Sequence, residues 1–224
     1  MTTAAGRQVV SGRLRSPSNH LVSKLTVVDN ARDGISILDG ALNTVQHNTI
    51  ARNGGWGMSI HGGGRNTLVS NSLARNGSGG VLLQTGTRLN STVENLVRKN
   101  DVIANQGSGI VVGGSLTAPF FVRDNRIEKN DVIANERDGI WLASGGGPVV
   151  RNRADRNGDD GIDADCRYRS DAPQECIPEI ALTRNTANQN GDLGIEADAG
   201  VSDGGRNTAR DNGNPAQCVG VACS

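Results

Sequence analysis

Asparagine recurs in this chain in a fixed frame. Asn48, Asn71, Asn100, Asn130, Asn152, Asn185 and Asn207 are each followed five positions later by Asn53, Asn76, Asn105, Asn135, Asn157, Asn190 and Asn212. Four positions after the second Asn comes Gly57, Gly80, Gly109, Gly139, Gly161 or Gly194, and Asn30 with Gly34 is an earlier copy. A frame repeated this often means one supersecondary unit stacked on itself, a solenoid. Successive second-Asn positions are spaced 23, 23, 29, 30, 22, 33 and 22 residues apart, so the minimal coil is about 22 residues.

Within each coil apolar residues alternate: Ile35 and Ile37, Met58 and Ile60, Val81 and Leu83, Ile110 and Val112, Ile140 and Leu142. Period two signals a strand with one face inward, and the runs are too short for helices. Further inward positions fall two residues after the first Asn (Ile50, Leu73, Val102, Val132) and three before it (Val45, Leu68, Val97, Ile127). Three short strands per coil predict a three-sided prism. At the bends Asn tolerates the left-handed conformation, and equal Asn side chains stacked at ~4.8 Å form hydrogen-bonded ladders. Leu25 stands where the earliest first Asn should be, so that ladder starts one coil later; Asn43, Asn66, Asn95 and Asn125 make a third column.

This pattern resembles the right-handed parallel β-helix repeat proteins of the pectin-lyase-like superfamily, over roughly Leu21 to Asn212. The resemblance implies an all-β solenoid of roughly seven coils, a lead-in or partial cap over residues 1–20, and a cap over 213–224. The ending, from Gly191-Asp192-Leu193-Gly194 to Cys218 and Cys223, is similar to that of exported bacterial members. The superfamily contains polysaccharide lyases, hydrolases and epimerases, and also members without known activity, so fold alone assigns no reaction.

Composition agrees with one domain and a thin aliphatic core: 224 residues, aromatics only 2%. The 23 basic and 23 acidic residues cancel, and no basic patch with interleaved aromatics argues for nucleic acid. No apolar run has membrane-spanning length. The start lacks a signal-like apolar region, so the protein is either cytoplasmic or exported with its signal and upstream domain cut away. The cysteines favour export to the periplasm, cell surface or medium. Local pairing, Cys166–Cys176 and Cys218–Cys223, is expected; the alternatives are four free thiols or, less so, zinc. Residues 1–20 fit the repeat poorly, and an uncapped strand edge there invites homodimerisation.

The extra residues of the three long coils lie near 84–92, 113–123 and 164–179. They insert along one edge, where the first two are expected to stack as a wall. Phe120 and Phe121 in the second insert are expected to cover the prism edge.

Outward residues of the strand after each Gly give two columns. One reads Ser36, Ser59, Leu82, Val111, Trp141, Asp163, Glu196; the other Leu38, His61, Gln84, Gly113, Ala143, Asp165, Asp198. Asp163, Asp165, Glu196 and Asp198 should form a square of carboxylates at strand and coil spacings of ~6.6 and ~4.8 Å. Such a square raises its own pKa values or binds a cation, for which Ca2+ is the natural candidate. Asp163, Asp165 and Glu196 are the candidate acid–base residues, and Trp141, Gln84 and His61 the candidate substrate contacts. A solvated acidic face is the competing account. Ser36, Ser59 and His61 suggest a nucleophile pair, but no acidic residue is expected in that patch. The Gly-His-Gly and Arg-x-Lys motifs of polygalacturonases and the Asp-Pro-His motif of alginate epimerases are absent. Two functions remain: a polysaccharide- or cell-surface-glycan-binding or -processing β-helix, or a non-catalytic rigid module of a larger exported protein.

Overall fold

The computed structural model describes residues 12–15, 18–86, 91–113, 122–143, 146–165, 168–169, 172–176 and 180–224. The described chain is all strand and turn, wound into three long parallel sheets of nine, eight and eight strands. No helix among the described residues is long and apolar enough to cross a membrane.

The first face holds the strands that follow the glycines, from Ile35–Leu38 and Trp56–His61 through Ile195–Ala197. The second face holds the strands between the paired asparagines, Thr26–Val28 through Thr208–Arg210. The third holds those before the first Asn, Leu21–Ser23 through Ser202–Asp203. Gly12–Arg15, within the stretch read as a lead-in, already pairs as a first-face strand, Gly12 opposite Ile35. At the other end Cys218–Val219 closes the same face against Ile195–Glu196.

Side-chain period two places the core. The inward residues named above are buried, and Ile37, Ile50, Ile60, Leu68, Leu73 and Leu83 are among the largest fully buried side chains. Stacked coils give each a like neighbour: Val45 lies opposite Leu68, and Leu68 opposite Val97.

The asparagines form three ladders, numbered by chain order within a coil: the first runs from Asn43 to Asn125, the second from Asn48 to Asn207 and the third from Asn30 through Asn53 to Asn212. In each step the Oδ1 of one Asn accepts the backbone N–H and the side-chain Nδ2 of the Asn one coil earlier. Asn71 donates to Asn100 Oδ1 at 3.0 Å from both nitrogens, and Asn100 in turn to Asn130. The Nδ2 also donates to a backbone carbonyl, as Asn100 does to Leu68 O at 2.9 Å. The second ladder begins at Asn48, which accepts from Leu25 N, as expected. The third ends on Gln217, whose Oε1 takes the place of an Asn beyond Asn212.

One expectation is corrected. The ladder asparagines are not the left-handed residues. The residue before each carries the positive φ: His47 at 54°, Lys99 at 53°, Lys129 at 55°, Arg151 at 57°. That bend turns the chain so the Asn side chain points inward to its ladder, leaving the left-handed residue's side chain outside. The glycines before the first face likewise serve packing rather than a turn. A Cβ on Gly57 would come within 2.8 Å of both Gly80 O and a Leu73 methyl.

The inserts leave the edge between the first and third faces. There Gly63–Gly64, Thr92–Val93 and Val122–Arg123 pair as an additional three-stranded parallel sheet, which joins the ends of the first two inserts. Within the third insert Tyr168–Arg169 pairs antiparallel with Ala172–Cys176. Phe120 and Phe121, and the Cys166–Cys176 pairing, lie outside the described residues. Cys218 and Cys223 are disulfide-bonded, five residues apart.

Candidate functional site

Register fixes the outward columns of the first face. Ser36 lies opposite Ser59, Ser59 opposite Leu82, Leu82 opposite Val111, Val111 opposite Trp141, Trp141 opposite Asp163 and Asp163 opposite Glu196. The column read from the alternation is the column observed. In the second, Leu38, His61 and Gln84 are in register, and the backbone N–H groups of Asp165 and Asp198 continue the ladder to Leu142 O and Ala164 O.

Asp163 sits at the centre of the acidic end. It is half-buried, with Trp141 one coil before it and exposed Glu196 one coil after. Burial first, then the nearby charges of Asp165, Asp138, Asp160 and Glu196, push its pKa up to about 8. A carboxyl group in this setting holds its proton at neutral pH. Trp141 is half-buried, and its Nε1–H donates to Asp165 Oδ2 at 3.1 Å. One edge of the indole is thereby tied to the acidic end.

The bend just before the first face supplies a second layer of carboxylates. Asp138 accepts the Ser108 hydroxyl at 3.1 Å and the Asp160 backbone N–H at 3.4 Å. Asp160 accepts the Leu193 N–H at 2.7 Å. Burial, followed by the charges of Asp159, Glu196 and Asp138, outweighs that last bond and raises Asp160 to about 7. Burial is also the main cause of the raised pKa of Asp138. One oxygen from each of Asp138, Asp159 and Asp160 lies within 4.8 Å of the others. Among the described residues this trio, not the square of Asp163, Asp165, Glu196 and Asp198, is the convergent set of possible metal ligands. The alternation that defined the square assigns strand faces and says nothing of bend residues. The repeated Asp just before Gly139 and Gly161 was the available signal.

His61 and Gln84 are not brought to this end. They are register neighbours near the opposite end of the face, and Gln84, Gly113 and Ala143 separate His61 from Asp165 along their column. That is four coil steps, ~19 Å at ~4.8 Å per step. The Ser36–Ser59 patch does contain an acid, which corrects the sequence reading. Asp33 Oδ2 accepts both hydroxyls, at 3.0 and 2.8 Å, while its Oδ1 accepts the Trp56 N–H. Both serine hydroxyls are engaged by this carboxylate, and Ser59 is only 1% exposed. The patch is a bracing network across coils.

The sequence pattern of the family described as right handed beta helix region matches residues 11–150, more than half of the chain. The chain belongs to this right-handed β-helix family. No curated protein matches it. Among solved structures, this β-helix is similar to the periplasmic alginate epimerase AlgG, with TM-score 0.71 and 20% identity over 89% of this chain and 46% of that one. Pectate lyase Pel9A matches with TM-score 0.59 and 18% identity, covering 96% of this chain and 52% of that one. The A-module of the Azotobacter vinelandii mannuronan C-5 epimerase AlgE4 gives TM-score 0.52 and 14% identity over 92% and 73%. At these identities the likeness is one of fold. The β-helix spans about half the length of the first two.

Proposed function

We propose that this β-helix binds and processes a polysaccharide on the acidic end of its first face. The observation that carries the reading is the placement of Asp163, an outward, half-buried carboxyl in register between Trp141 and Glu196, where burial and the neighbouring carboxylates push its pKa up to about 8. At neutral pH it donates a proton to a sugar oxygen, or takes one once ionised. The exposed carboxylate of Glu196, in register with it, is the charged partner. Trp141 offers an indole edge and face beside them for a sugar ring. The solved structures of similar fold are named as alginate epimerases and a pectate lyase, which supports a polymeric, acidic sugar as substrate. The Cys218–Cys223 disulfide supports an extracytoplasmic setting.

The test is turnover of a panel of acidic and neutral polysaccharides by the wild-type chain and Asp163→Asn. The reading expects activity on one of them, reduced roughly 10²–10⁴-fold by the substitution with the fold intact. Turnover unaffected by the substitution would remove Asp163 from the chemistry. Binding without turnover of any polymer would make the chain a rigid recognition module.

A second reading rests on the convergent oxygens of Asp138, Asp159 and Asp160, a donor set suited to Ca2+. A thermal melt with Ca2+ and with a chelator separates the two. A calcium-dependent rise in Tm that Asp159→Ala removes would support a cation there, and no shift would sink it.

A further inference from the structure

A second charged feature lies on a different edge of the prism, between the third and second faces. The residues before the second ladder of asparagines read Lys24, His47, Ser70, Lys99, Lys129, Arg151, Arg184 and Arg206. Each takes a left-handed φ between 53° and 62°. The ladder Asn100, Asn130, Asn152, Asn185, Asn207 holds them in strict vertical register. Five consecutive coils therefore present Lys99, Lys129, Arg151, Arg184 and Arg206 in one line, ~19 Å long at ~4.8 Å per step. All five are exposed, and none takes part in an ion pair among the described residues.

The other two ladders supply an internal control, because the residues before them share the same left-handed bend. Before the third ladder the column reads Asp29, Arg52, Arg75, Ala104, Ala134, Arg156, Gln189, Asp211. Its charges are mixed, and Arg52 pairs with Asp29 one coil away at 2.7 Å. Before the first ladder it reads Leu42, Arg65, Glu94, Asp124, and Arg65 pairs with Glu94 at 2.7 Å. Only the middle column excludes acids. Nothing in the backbone demands this, since Asn, Asp or Gly fit a left-handed bend better than Lys or Arg. Stacked like charges are also mutually unfavourable, and in a chain of zero net charge they are easily avoided.

Of the acids beside the line, Glu128 feels the charge of Lys129 but makes its ion pairs elsewhere. Glu128 pairs with Arg126 and Arg98, and Asp155 with Arg153. Asp101 and Asp131 lie one coil apart across the ladder on the second face.

We propose that this column is a docking edge for one strand of an acidic polysaccharide, which lies along the prism axis with its carboxylates opposite successive cations. A polymer with an anion on every sugar matches a rail with one cation on every coil. The charge complementarity stands on the column itself; the choice of a glycan as the polyanion rests on the proposed function above. Single-stranded nucleic acid is the disfavoured polyanion, because the rail has no aromatic side chain on which bases stack. The edge is separate from the acidic end of the first face, so it would hold the polymer while the first face acts on it, or hold the protein on a matrix.

The test is direct binding of polygalacturonate by calorimetry to three proteins: wild type, Lys129→Asn/Arg151→Asn/Arg184→Asn, and Arg52→Asn/Arg75→Asn/Arg156→Asn. Asn suits the left-handed bends, so both triple variants keep the fold, and both remove three positive charges. The expected result is a loss of about tenfold or more in affinity for the first variant only, with wild-type binding suppressed between ~0.05 and ~0.5 M salt. Equal loss in both variants would reduce the effect to net charge, and no loss in either would overturn the rail. Tighter binding of single-stranded DNA than of polygalacturonate would overturn the glycan assignment. Asp163→Asn serves as the separating control: it lowers turnover roughly 10²–10⁴-fold under the proposed function and leaves rail binding intact. Each proposal therefore fails on its own readout.

Discussion

Asn100 is fully buried and every polar atom of its side chain is used. It accepts two bonds from Asn71 and donates to Asn130 Oδ1 and Leu68 O. Asn100→Ala would strand the Asn71 backbone N–H without water to replace the lost partner. A loss of about 2–4 kcal/mol is expected, read as a lowered urea midpoint at constant slope. Asp163 behaves in the opposite sense, because there the buried group is itself the liability. A carboxyl with a raised folded-state pKa stabilises fully below its unfolded value near 4 and loses that contribution as pH climbs through about 8. Asp163→Asn, which cannot ionise, should match wild type in Tm near pH 4 and exceed it by roughly 3 °C or more at pH 9. A Tm difference that does not change with pH would mean that Asp163 is not titrating in this range.

At the scale of the element, each strand is two to six residues long, and its neighbours above and below define it more than its own propensity does. Gly109 illustrates this. A Cβ there would lie 2.3 Å from a Val132 methyl, 2.7 Å from Gly139 O and 2.8 Å from Asn135 Nδ2. Gly109→Ala should cost about 2–3 kcal/mol in chemical denaturation, through overpacking of the ladder corner rather than a forbidden φ. A cost well under 1 kcal/mol would mean that the coils separate freely at this corner. Strands and faces were legible in the sequence because period two and the Asn frame reinforce each other. Ile50, Leu73 and Val102 are inward, and the outward column from Ser36 to Glu196 has the predicted register. Bends were less legible. The left-handed residue is the one before the Asn, where Lys, Arg, Ser and Ala stand with no shared chemistry to mark the position. The Asp138–Asp159–Asp160 trio and the contact of Asp33 with two serines come from bend residues to which strand alternation gives no direction. The Gly63–Gly64 strand escaped notice because glycine carries no strand signal; its pairing is imposed by Thr92–Val93 above it.

At the scale of the whole molecule, stability in a solenoid is a sum of coil terms and nearest-neighbour terms, so a perturbation at one end should decay within a coil or two. The Cys218–Cys223 cap offers a clean trial. Cys218–Val219 covers the open edge of Ile195–Glu196, and the Asn207–Cys223 bridge covers the end of the second ladder. Closing so short a loop contributes about 2 kcal/mol on the chain-entropy estimate, all of it delivered to the last coil. Reduction should therefore speed amide exchange in residues 207–224 and in Ile195–Ala197, while Asp101–Ile103 and Asp131–Ile133 exchange as before. Hydrogen exchange with and without reductant reads this directly, and a uniform increase along the chain would mean that the coils unfold as one unit. The consequence reaches the proposed site, because Val219 is the register neighbour of Glu196. If the cap opens, Glu196 loses the strand that holds it beside Asp163 while the cation rail from Lys99 to Arg184 stays intact. Under reduction, activity on a polysaccharide should then fall before binding of it does.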